Sequence, residues 1–201
     1  MTGFWTLGFT IGLMSLTAGD RVLLIGDSQA FLLSHEFPVL ATRDGVTFKA
    51  VVAPGSSVIS WASDGPLWAM AAQFRPTAVL VSLGSNDAYM GPSVVRNEGP
   101  FLARVSKRLD GLGAREVVWL GPPKLRRAAK GLEAFVQMVS RTGFRYLDAR
   151  EIEVGMWDDQ LHCSRPQYAG DRADGCRVWA TWAWQLLVHP APASGQGAKQ
   201  P

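Results

Sequence analysis

The chain has 201 residues, which suits one domain with extensions better than two. Hydrophobic residues at 47% and charged residues at 18% exclude intrinsic disorder. Twenty Lys and Arg against seventeen Asp and Glu leave a net charge of +3, too small an excess to imply nucleic acid as a partner. Three His and two Cys exclude Cys-rich zinc folds and multi-bridge disulfide scaffolds. Any histidine chemistry must use His35, His162 or His189.

Residues 1–20 form an apolar N-terminal segment, with no charged side chain before Asp20. It lacks the basic flank of a signal peptide, and Thr, Gly and Ser dilute it below the apolarity of a membrane span. Docking, signal and anchor roles all stay open, and membrane or assembly contact through residues 1–19 is one expectation. From residue 21, apolar runs of strand length alternate with longer amphipathic stretches. Strands are predicted at 21–26, 46–52, 77–83, 116–120 and 144–147. Helices are predicted at about 28–36, 60–73, 92–110, 124–141 and 175–188, with Pro38 ending the first. That alternation indicates an α/β domain on a five-stranded parallel sheet over residues 21–190, followed by a polar tail, 191–201, expected to be mobile. In such sheets ligands bind beyond the carboxyl ends of the strands.

The residues following each strand therefore carry the functional reading. After the first come Gly26-Asp27-Ser28, which reads equally well as a helix cap or as a nucleophile at a helix start. After the second, Gly55 sits in a Pro-Gly turn whose backbone N–H can face a ligand. After the third come Gly84-Ser85-Asn86-Asp87, in which Asn86 offers two amide donors or the residues form an ordinary turn. Beyond the fifth, Asp159 and His162 are three apart, a spacing that lets a carboxylate orient an imidazole on one helical turn. Asp158 competes for that role. A zinc site on Cys163, Cys176 and His162 would remove the best-placed base, so no metal or other cofactor is expected.

Taken together, these four segments resemble the blocks of the SGNH hydrolases, the GDSL-type esterases and lipases. Gly26-Asp27-Ser28 resembles the first block, Gly55 the second, Gly84-Ser85-Asn86-Asp87 the third and Asp159-x-x-His162 the last. The departures are Gln29, where many members carry Leu, and Cys163, where many carry Pro after the histidine. The resemblance implies a three-layer α/β/α, flavodoxin-like fold and metal-free ester hydrolysis by Ser28, Asp159 and His162. It implies an oxyanion hole made by the Ser28 and Gly55 N–H groups and the Asn86 side chain. The expected substrate is a short acyl ester, acetyl foremost, on a glycan or a small molecule. A lipase, a thioesterase and a non-catalytic SGNH-like binding or assembly module of a cell-surface or virion structure are the alternatives.

Other features have plainer readings. Cys163 and Cys176 bracket a polar loop and can form a disulfide, which would favour an extracytoplasmic or surface setting. Trp179, Trp182 and Trp184 read as core of the last helix, and Trp61 and Trp68 as candidate lining of an acyl or sugar pocket. The basic residues from Arg104 to Lys130 read as a solvated helix face.

Overall fold

The structure, a computed structural model, describes residues 15–125, 129–157, 159, 161–165 and 174–189. The polar tail and the first fourteen residues lie outside them. Strands β1 (Arg21–Gly26), β2 (Thr47–Val52), β3 (Ala78–Ser82), β4 (Glu116–Leu120) and β5 (Arg145–Leu147) form one sheet, ordered β2-β1-β3-β4-β5. Every neighbouring pair is parallel.

Alternate strand residues point to opposite faces, so continuous apolar runs here fill two cores. Val22, Leu24, Leu80 and Val118 face the layer of α1 (Ser28–Leu33), α2 (Phe37–Arg43) and the last helix, α9 (Gly175–Val188). Leu23, Ile25, Val79, Val81 and Trp119 face α3 (Val58–Trp61), α4 (Pro66–Phe74), α7 (Gly99–Gly111) and α8 (Leu132–Ser140). The result is the expected three-layer α/β/α arrangement. Trp179 and Trp184 are wholly buried in the first core, and the Trp184 indole donates to Asp44 Oδ2 at 2.7 Å.

Several helix boundaries differ from those the sequence suggests. The first helix stops at Leu33, and Pro38 lies in the first turn of α2 instead of ending the helix before it. A first-turn proline lacks only an N–H that has no intrahelical partner there, so it starts a helix as readily as it stops one. The stretch 60–73 divides into α3 and α4 around Ser63-Asp64-Gly65, with Pro66 opening α4. The stretch 92–110 divides at Glu98 into α6 (Pro92–Asn97) and α7. Of the stretch 124–141, Leu132–Ser140 forms α8, Lys124 and Leu125 are not helical, and residues 126–128 lie outside the described residues. The Ser85-Asn86-Asp87 segment is not a simple turn but opens a short helix, α5 (Ser85–Tyr89).

The two ends of the sheet are built differently. At the amino end, Asp20 is buried and accepts from the Thr17 amide at 2.7 Å, Thr77 Oγ1 at 2.9 Å and the Arg115 guanidinium. The Arg115 hydrogen bonds hold its carboxyl far below the usual carboxylate range, against the opposing effect of burial. Leu16 is buried too, and its amide donates to the Leu187 carbonyl of α9 at 2.9 Å. At the carboxyl end the chain reverses direction between β1 and β3, because β1 runs outward to β2 and the chain then crosses back. Ligands bind at such switch points. Gly26 makes the approach there close enough: a Cβ on it would lie 1.8 Å from the Ser82 carbonyl oxygen.

Candidate active site

Ser28 is the first residue of α1, directly after β1, and Asp27 caps that helix by accepting from the Gln29 amide at 2.9 Å. The Asp27 side chain is completely buried. Burial pushes its carboxyl up to about 7, the Asp87 charge adds to the effect, and amide donors from Gln29, Ser85 and Gly84 oppose it.

His162 comes from the segment that follows β5, yet its Nε2 lies 2.9 Å from Ser28 Oγ. Its Nδ1 lies 2.5 Å from Asp159 Oδ2. Asp159 Oδ1 also accepts from the Leu161 and His162 amides, at 2.9 and 3.0 Å, so the turn fixes both carboxylate and ring. Burial raises the Asp159 carboxyl, but the hydrogen bonds from the His162 ring and from the two amides outweigh it and hold it below the usual range. With the Nδ1 hydrogen facing Asp159, Nε2 is an acceptor towards the Ser28 hydroxyl. Asp158, the competing carboxylate, lies outside the described residues. Neither of the other histidines joins the cluster. His35 packs edge-on against Phe31 beyond α1, and His189 caps the end of α9.

The loop carrying His162 is braced from behind. Trp157 N donates to the His162 carbonyl at 2.8 Å, Met156 bridges to Cys163, and Ser164 N donates to the Gly155 carbonyl at 2.8 Å. Cys163 is disulfide-bonded to Cys176 in the first turn of α9. The residue after His162 is therefore covalently attached to the core helix.

The other two junctions face the same end of the sheet. Gly55 has φ +80° in the turn after β2, and nothing lies within 4 Å of where its Cβ would be. Among the described residues, the Ser28 and Gly55 backbone N–H groups have no hydrogen-bond acceptor. Asn86 Nδ2 donates one hydrogen to the Ser56 carbonyl at 2.8 Å, which orients the amide and leaves its second hydrogen available. Asp87, fully buried one residue on, accepts from the Val58 amide at 2.9 Å and so ties α5 to α3. Burial raises the Asp87 carboxyl, and burial together with Asp87 raises that of its buried neighbour Glu98. Sequence reasoning offered no role for Glu98, because its partner is set by the packing of α5 on the α6–α7 junction.

Beside Ser56 lies a recess of about 260 Å³ lined by Ser60, Leu67, Pro66 and the edges of Trp61 and Trp68. The two indoles pack edge to face at 5.4 Å and are nearly buried. Their N–H groups are engaged, Trp61 with Ser56 Oγ at 2.8 Å and Trp68 with the Trp61 carbonyl at 2.9 Å. They are recess walls, not open platforms on which a sugar ring could stack. Of the basic stretch, Arg104 and Lys107 are exposed on α7, Arg108 pairs with Asp64, Arg115 with Asp20 and Lys124 with Glu153, and Arg126 and Arg127 lie outside the described residues. Among the described residues no cluster of His, Cys, Asp and Glu could hold a metal ion, and no helix is long and apolar enough to cross a membrane.

No protein-family model and no curated protein matches the sequence. Solved structures do match. A GDSL-like lipase assignment from Parabacteroides merdae superposes with a TM-score of 0.61 at 13% identity, over 87% of this chain and 97% of that one. The chain has the SGNH hydrolase fold. The same SGNH architecture aligns with the acetylxylan esterase Axe2 from Geobacillus stearothermophilus, in a catalytic mutant, at TM-score 0.55 and 14% identity over 88% and 97% of the two chains. It aligns with the psychrotrophic esterase EstA from Pseudoalteromonas sp. at TM-score 0.53 and 19% identity, over 81% of this chain and 99% of the other.

Proposed function

We propose that this SGNH-fold chain is a serine ester hydrolase that releases a short acyl group, acetyl foremost, from a glycan or small-molecule ester. The observation that carries the reading is the relay from Ser28 Oγ through the His162 ring to Asp159, with contacts of 2.9 and 2.5 Å. Ser28 Oγ attacks the acyl carbonyl carbon while His162 Nε2 takes the hydroxyl proton. Asp159 keeps the ring in the required tautomer and stabilises the imidazolium. As the ester C–O bond breaks, His162 gives that proton to the departing alcohol. Water, deprotonated in turn by His162, then attacks the carbonyl carbon of the acyl-serine; as the bond to Ser28 Oγ breaks, His162 returns the proton to that oxygen and the acyl group leaves as the carboxylic acid. The Ser28 and Gly55 N–H groups and Asn86 Nδ2 stabilise the oxyanion in both steps; each such donor is typically worth about 3 kcal/mol in the transition state. No metal or organic cofactor takes part in this route.

The acetylxylan esterase among the similar structures supports acetyl in particular. The bridge beside His162 suits an oxidising compartment. The decisive measurement is release of p-nitrophenol from the acetate and octanoate esters by wild type and Ser28→Ala. A wild-type burst on acetate, weak on octanoate and absent in the variant, is expected. Equal inertness of both proteins on both esters would reject hydrolysis and leave a binding module.

A further inference from the structure

Gln29 follows Ser28 directly and is fully buried on α1. Its side-chain Nε2 donates to the Leu161 carbonyl at 2.5 Å, bridging 132 positions of sequence. Leu161 immediately precedes His162. Among the described residues, Gln29 Oε1 has no hydrogen-bond partner. A buried amide with an unsatisfied oxygen is worse for packing than an apolar side chain of the same shape. Core burial alone thus favours Leu or Met at this position, and the single bond to Leu161 is what an amide adds.

The other ties of the histidine loop run elsewhere. The Trp157–His162 and Ser164–Gly155 backbone bonds and the Met156–Cys163 bridge hold the loop to itself, and the disulfide holds it to α9. The Arg165–Glu36 pair, at 3.8 Å, meets the chain beyond the far end of α1. Only the Gln29 amide joins the loop to α1 next to Ser28, apart from the His162–Ser28 contact itself, among the described residues.

We propose that Gln29 is a positioning residue: by gripping the Leu161 carbonyl it fixes the His162 ring at hydrogen-bond distance from Ser28. This rests on the reading in which Ser28 and His162 carry acyl transfer. Among the described residues the remaining ties of the loop run within it, to α9 and to Glu36, away from Ser28, so without the grip the ring gains freedom along the direction that separates it from the hydroxyl. A displacement of about 1 Å at reacting groups costs on the order of a hundredfold in rate.

The test compares wild type with Gln29→Leu and Gln29→Met, measuring kcat and KM on p-nitrophenyl acetate, thermal stability, and hydrogen exchange in peptides covering 157–163. The expected result is a fall in kcat of roughly ten- to a hundredfold with KM nearly constant. Melting temperature should be retained or raised, and exchange should quicken in 157–163. A kcat retained in both variants overturns the proposal, as does a loss of activity that merely tracks a loss of stability. If wild type itself is inert on esters, the hydrolase reading falls alone. The exchange measurement then decides about Gln29, and unchanged exchange in 157–163 overturns its role.

Discussion

Asp27 shows how one residue can serve the site at the expense of the fold. Its carboxyl caps α1 from a fully buried position and is raised to about 7, well above an unfolded aspartate. Between about pH 4 and 7 the folded protein therefore holds a proton that the unfolded chain has released, and stability declines as pH rises through that window, by up to about 1.4 kcal/mol per unit. The buried Asp87 and Glu98 carboxyls, both raised, act in the same direction. Asp27→Asn retains the capping oxygen and removes the titration. Urea midpoints measured from pH 4 to 8 should fall less steeply for the variant than for wild type, and parallel slopes would refute this account. Ser28 and Gln29, adjacent in sequence, reach different partners: the Ser28 hydroxyl meets the His162 ring, and the Gln29 amide meets the Leu161 carbonyl one residue before it.

At the level of elements, the central strands were readable from sequence because β1, β3 and the second half of β4 are continuous apolar runs buried on both faces, whereas the edge strands β2 and β5 are only partly buried and carry Lys49 and Arg145. The alternation of those runs with helices was enough for the α/β architecture. Helix limits were less readable, because Pro38 and Pro66 can stop or start a helix and the choice depends on what packs next. Gly84 to Asp87 read as an amide-donor site or as a turn or cap, since Gly, Asn and Asp suit both; Gly84 does cap, and the residues after it form the short α5, packed on α8 and α6. The four segments around the site stood out because each follows a strand, whereas Gln29 did not: its meaning needs a partner 132 positions away. The α5–α8 contact also explains Gly84, which has φ +116° and whose Cβ would lie 2.0 Å from the Phe135 ring. Gly84→Ala combines overpacking with a left-handed backbone and should destabilise by about 3 kcal/mol. An unchanged denaturation midpoint would contradict this.

Across the whole molecule, the sheet separates two duties. Its amino end carries the Asp20 cluster with Thr17, Thr77 and Arg115, and its carboxyl end carries Ser28, Asn86 and His162. Asp20→Ala leaves the Thr17 amide and Thr77 hydroxyl without their acceptor and frees the solvent-exposed Arg115, and should destabilise by about 1–2 kcal/mol. Acetate-ester kcat at a temperature where the variant is folded should match wild type, and a tenfold loss there would show that the two ends are coupled. Ser28, Gly55, Asn86 and His162 also follow different strands, with Ser28 and His162 separated by 134 positions. A parallel sheet offers no local hairpin to nucleate such a meeting, and chains of this size commonly populate intermediates. On dilution from denaturant with the disulfide intact, helical circular dichroism should therefore return before esterase turnover does. The delay between the two signals would time the docking of the last crossover.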